Sequence, residues 1–120
     1  MSAPSGPGET ELRKVATSFA QKIVAGDYEK AYGMLSASLQ ATTSPAQLKK
    51  EFLSMIDYGN GPPNFVEAMD VQDKWPDKLP ADVGWAYVAI TGDNFSEAVT
   101  VIIEREHGRN MIRSIEWGRP

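Results

Sequence analysis

Gly59-Asn60-Gly61-Pro62-Pro63 (GNGPP, residues 59–63) divides the chain into two halves with different hydrophobic periods. Two glycines and two prolines in five residues stop a helix and start a turn or an edge. Upstream, apolar residues recur at helical spacing in three short blocks. Downstream they form strand-like blocks to the C-terminus. Helices first and strands afterwards predict an α+β domain: three N-terminal helices packed on a curved, mostly antiparallel four-stranded sheet.

Working back from the divide, Ser44-Pro45-Ala46-Gln47 is the sharpest local signal. Ser44 reads as an N-cap, Pro45 as the first helical residue and Gln47 as the reciprocal capping-box partner. Leu48, Phe52, Met55 and Ile56 follow at helical spacing. Ser36–Thr43 is rich in hydroxyls and reads as a loop with Leu39 tucked inward. Tyr28, Ala31, Tyr32 and Leu35 make the apolar face of a short helix capped by Asp27. The first helix runs from about Glu9 to Ala25, with Leu12, Val15, Ala16, Phe19, Ala20 and Ile23 on one stripe. Gly26 is its stop. Met1–Gly8 (MSAPSGPG) has no apolar signal core and reads as a flexible leader, with residues 9–120 forming one domain. The leader leaves the compartment open.

Working forward, four strands are expected at about Phe65–Lys74, Gly84–Thr91, Ser96–Glu106 and Met111–Trp117. Trp75–Asp82 (WPDKLPAD) reads as a Pro-broken connection too polar to be buried. Gly92-Asp93-Asn94 and His107-Gly108-Arg109-Asn110 carry hairpin-turn chemistry, so the last three strands form a meander. Their two faces are both apolar. Val99, Val101 and Ile103 line one side of the third strand, with Ala98, Thr100 and Ile102 on the other. Trp85, Tyr87 and Ala89 oppose Ala86, Val88 and Ile90 on the second. A sheet covered on one side alone shows cleaner alternation. The second face is therefore expected to meet a partner, most simply a second copy in a homodimer through the sheet face.

Composition bounds the chemistry. The chain has 120 residues, enough for a core without staples, and no cysteine, which excludes disulfides, thiolate metal sites and a cysteine nucleophile. A net charge of −4 opposes broad nucleic-acid binding, which needs a basic field against phosphate. No apolar run reaches membrane-spanning length. No metal or cofactor motif is present, and the glycines form no phosphate loop.

The stretch Phe19–Met55, with its "AGDYEKAY" helix junction, "LSASL" and the capped "TSPAQLKKEF" helix, resembles the nuclear transport factor 2-like (SnoaL-like, cystatin-like) superfamily. With the strands, the resemblance spans about Glu11–Trp117. It implies a cone in which a curved sheet wraps the first helix and leaves a pocket at the open end. Members include ketosteroid isomerase, scytalone dehydratase and limonene epoxide hydrolase, beside many non-enzymatic binding or assembly domains, so fold does not select function. The polar constellations of those enzymes find no clear counterpart in this sequence.

Candidate residues follow from strand parity and aromatic stock. Glu97 shares parity with Phe95, Val99, Val101 and Ile103, and an inward carboxylate in an apolar cone suits a general base. Glu67 and Asp73 share parity with Phe65, Met69 and Val71, making Asp73 a second candidate base, while Asp70 points to solvent. Tyr32 and Tyr58 are candidate proton donors. Tyr32, Tyr58, Trp75, Trp85 and Tyr87 are candidate walls for a small apolar ligand. His107, the only histidine, reads as an exposed turn residue. The leading expectation is a non-catalytic binding or assembly domain, with a small apolar ligand or a protein partner. A small lyase, isomerase or hydrolase acting on a hydrophobic substrate is the alternative, and a module that inhibits a basic protein a third.

Overall fold

The computed structural model describes residues 7–59 and 61–118, with the side chains of Pro7 and Tyr58 outside that description. Most of the leader expectation, residues 1–6, also lies outside it. In chain order the elements are α1 (Pro7–Val24), α2 (Tyr28–Tyr32), α3 (Ala37–Gln40), α4 (Pro45–Ile56), a 3-10 turn (Asp57–Gly59), β1 (Pro63–Gln72), β2 (Asp82–Gly92), β3 (Ser96–Glu106) and β4 (Arg109–Trp117). The fold is α+β, with one open antiparallel sheet in the order β1-β2-β3-β4. Each strand pairs only with its sequence neighbours, a complete meander.

The first helix starts at Pro7, two residues before the expected Glu9, because proline suits the first helical position. It closes on Gly26, whose φ of 79° needs no Cβ. There the Asp27 N–H donates to the Lys22 carbonyl at 2.8 Å and the Gly26 N–H to the Ile23 carbonyl at 3.1 Å. Asp27 precedes α2 as expected, but its side chain makes no cap hydrogen bond; its carboxylate lies 3.5 Å from Lys30 Nζ instead. The Ser36–Thr43 loop contains a one-turn helix, α3, because Ser36 accepts from the Leu39 N–H at 3.3 Å and caps it. Ser44 caps α4, accepting from the Gln47 N–H at 3.1 Å. The Gln47 amide does not reach back; it donates 2.9 Å forward to Glu51, where a charged acceptor makes the stronger bond.

On the sheet's inner face sit Ala86, Val88, Ile90, Val99, Val101, Ile103 and Ile112, each no more than 1% exposed. They meet Leu12, Ala16, Phe19, Ala20 and Ile23 of α1, Ala31 of α2, and Leu48, Phe52 and Ile56 of α4 in one core. Phe52 approaches Trp117 at a ring separation of 6.5 Å. Phe19, Leu35, Leu48 and Ile112 are among the largest fully buried side chains of the described residues.

Of the four register shifts in the sheet among the described residues, those at Met69 and Arg113 bear most on which residues face which way. The β1–β2 register slips at Met69, so Val66, Ala68 and Val71 turn inward while Phe65, Glu67, Asp70 and Gln72 face out. The expected single face of Phe65, Met69 and Val71 is thereby split, as a one-residue insertion flips every later side chain. The β3–β4 register slips at Arg113. Both sheet edges are guarded. On β4, the Ser36 N–H donates to the Ile112 carbonyl at 2.7 Å and the Ile112 N–H to the Met34 carbonyl at 2.9 Å. On β1, Arg13 of the first helix donates to the Ala68 carbonyl beside the bulge.

Candidate functional site

The outer face of the sheet holds two residues of the expected aromatic wall, Trp85 and Tyr87. Reading across the paired strands, one row is Asp70, Tyr87, Thr100 and Glu116. The next row is Gln72, Trp85, Ile102 and Ser114. On the other side of the Tyr87 row stand Glu67, Ala89 and Ala98. Trp85 and Tyr87, two residues apart on one strand, stack at 6.4 Å with 13° between their planes. Ala98 is 1% exposed and Thr100 9%, yet neither belongs to the core cluster. They are small residues shielded by taller neighbours on the same face. Apart from Val83 beside a bulge, that cluster draws its strand residues from the inner face. The outer face is thus apolar at its centre without a described element packed on it.

Charge is unevenly placed. Residues 1–60 carry six acidic and six basic side chains, whereas residues 61–120 carry ten acidic and six basic, so the −4 resides on the sheet half. Around the aromatic centre the outer-face rows place Glu67, Asp70, Glu104 and Glu116. Arg113 is the cation among them, and it is anchored. Its Nε and Nη2 donate to the two Asp82 oxygens at 2.6 and 2.7 Å, spanning β3 from β4 to the start of β2. The Leu79 N–H adds a third donor at 2.8 Å. The Asp82 side chain is fully buried, against the expectation that the 75–82 connection is too polar for that. A paired and hydrogen-bonded carboxylate is the exception that burial allows. The Arg113 hydrogen bonds, helped by the Leu79 N–H, hold the Asp82 carboxyl below the usual range, and Asp82 in turn raises Arg113.

A second feature is an open groove of about 880 Å³ where β4 ends, lined by Glu51, Ser54 and Met55 of α4 with Tyr87, Glu97, Trp117 and Gly118. It brings two of the candidate residues together, Glu97 and Tyr87. Glu97 stands on the inner-face register opposite Ile90, as its parity predicts, and is half-buried. The other candidates lie elsewhere. Tyr32 is bound into the helical layer, its hydroxyl donating to the Gln40 carbonyl at 3.2 Å while the Gln40 amide donates to the Tyr32 carbonyl at 3.0 Å. Asp73 is exposed in the β1–β2 connection, where its backbone carbonyl accepts from Lys78 Nζ at 2.6 Å. Trp75 lies in the same connection with Lys78 Nζ 5.7 Å from its ring, and its buried indole N–H has no partner among the described residues. Tyr58 lies outside the described side chains. His107 is exposed at φ 51° in the β3–β4 turn, the left-handed conformation that a mirror-image hairpin turn requires.

The described residues contain no group of three or more metal-ligating side chains and no helix long and apolar enough to cross a membrane. Sequence reasoning missed Asp82 and Arg113. Their partnership depends on the Arg113 bulge, and nothing local in Ile112-Arg113-Ser114 marks one. No protein-family model matches the chain, and no curated protein matches it in sequence.

Proposed function

We propose that this chain is a non-catalytic assembly domain of the nuclear transport factor 2-like type, which pairs with a second copy through the uncovered face of its sheet. The observation that carries the reading is the Trp85–Tyr87 stack, set with Ile102, Ala98 and Thr100 on a face that the core does not use. Large aromatics with polar tips are typical interface anchors, and here they stand half-buried on a face that no described element covers. The resemblance over Glu11–Trp117 supports the same reading, since that superfamily includes many assembly domains.

Native mass spectrometry and sedimentation velocity across a concentration series test it. A concentration-dependent dimer is expected. A monomer at every concentration, with no copurifying polypeptide, would remove the proposal.

One observation favours a second reading, carboxylate acid-base chemistry on a hydrophobic substrate: Glu97 and Tyr87 share the groove at the end of β4. In that reading Glu97 is the base and Tyr87 a pocket wall. The same groove is the place for a small apolar ligand against Met55 and Trp117. A discrete small-molecule adduct in the native spectrum, lost when Trp117 is replaced by alanine, would favour occupation of the groove.

A further inference from the structure

Two two-fold arrangements bring a sheet face onto its own copy with strands roughly aligned. In the first, the axis runs parallel to the strands, between β2 and β3. Each row then meets itself reversed. Asp70 faces Glu116 of the partner subunit, and the contact occurs twice because the interface is isologous. Tyr87 meets Thr100 of the partner subunit. Like charges set directly opposite each other across an interface are costly.

In the second, the axis runs across the strands, between the Tyr87 row and the Trp85 row. The rows now exchange. Tyr87 faces Trp85 of the partner subunit, so the two stacks interleave. Asp70 faces Gln72 of the partner subunit, an acceptor against a donor. Glu116 faces Ser114 of the partner subunit, beside Arg113 of the partner subunit. Glu104 falls toward Ala98 of the partner subunit. No carboxylate of these rows is set directly against another, and the anchored cation of one copy stands near an acid of the other.

We infer that the second copy packs with its strands reversed, about a two-fold axis lying across the strands, with Glu116 approaching Arg113 of the partner subunit. This rests on the pairing proposed above and specifies its geometry. Charge complementarity of the rows selects it, and the Asp82 clamp makes it specific. Because Asp82 holds both Nε and Nη2, Arg113 presents its charge at a fixed place.

Charge reversal gives a result of opposite sign in the two arrangements. Glu116→Lys places a cation beside Arg113 of the partner subunit in the reversed arrangement and should weaken the dimer about tenfold. With the axis along the strands, the same lysine would face Asp70 of the partner subunit and tighten the dimer. Asp70→Lys should change little in the reversed arrangement, where it faces Gln72 of the partner subunit, and should tighten a dimer whose axis runs along the strands, where it faces Glu116 of the partner subunit. Both residues are exposed surface positions, so the fold should tolerate the changes.

A distance measurement gives an independent readout. The chain has no cysteine, so Asn94→Cys at the β2–β3 turn provides a single site for a spin label. Reversed strands put the two labels at opposite ends, about 40 Å or more apart at ~3.4 Å per residue. Strands in the same direction put them within roughly 25 Å by the same spacing. A short distance, or a tighter Glu116→Lys dimer, overturns the arrangement while leaving the pairing intact. A wild-type protein that stays monomeric overturns the pairing itself.

Discussion

Asp82 shows how a single buried charge organises the end of a sheet. Its two oxygens take three donors, two from Arg113 and one from the Leu79 backbone. Losing the carboxylate would strand a largely buried guanidinium. Asp82→Ala should therefore cost about 2–4 kcal/mol, read from urea unfolding. Asp82→Leu combined with Arg113→Met should recover much of that, because apolar replacements leave no unpaired charge. The pH dependence has a definite sign. The folded carboxyl titrates below its unfolded value of ~3.9. Its contribution is therefore complete above the unfolded value and drains away as pH falls through the folded one. The Asp82→Asn variant should accordingly show a flatter acid limb in its stability profile. None of this was legible in WPDKLPAD, where the aspartate looked like one more polar loop residue. The partner that justifies its burial is 31 positions away in sequence.

At the scale of elements, capping and glycine signals were readable because they act within one turn of chain. Ser44 is the clear case: Ser44→Ala should destabilise the fold by about 1 kcal/mol, with most of the loss in the protection of the first turn of α4 from hydrogen exchange. A fully protected first turn in that variant would show that Pro45 alone sets the start. The α3 turn escaped notice because its four residues are too few to show a period. Strand identity was equally legible, and β3 begins and ends where its alternation predicts. Strand facing was legible for β2 and β3, which pair continuously between Gly84–Thr91 and Ser96–Ile103. It failed on β1, where one extra residue at Met69 reverses the parity and turns Phe65 and Glu67 outward, while Asp73 is exposed because the strand ends at Gln72. A bulge leaves no compositional trace in a strand as short as ten residues.

Across the whole molecule, the switch of period at residues 59–63 was enough for the fold class, since helices and strands lie in separate halves of the chain. The candidate site was less accessible, because it is made by lateral rows rather than by consecutive residues. The row Asp70, Tyr87, Thr100, Glu116 draws one residue from each strand, and pairing register alone assembles it. That row also governs the molecule's surface behaviour. Replacing both Trp85 and Tyr87 with serine should leave far-ultraviolet circular dichroism unchanged, since neither belongs to the core, while shifting sedimentation to the monomer. An unfolded double variant would instead assign the stack a structural role.

The contact from Arg13 to the Ala68 carbonyl has a consequence for how the protein is made. β1 is a ten-residue edge strand, and its Phe65 and Met69 are each more than half exposed. The helix that supplies its guard precedes it in the chain, so during synthesis the guard leaves the ribosome before the strand it protects. Any event that detaches α1 from a finished sheet reverses that order. The nascent chain is shielded by sequence order, and the mature protein by the docking of one helix; aggregation under heat should begin with release of α1, well before the strands part.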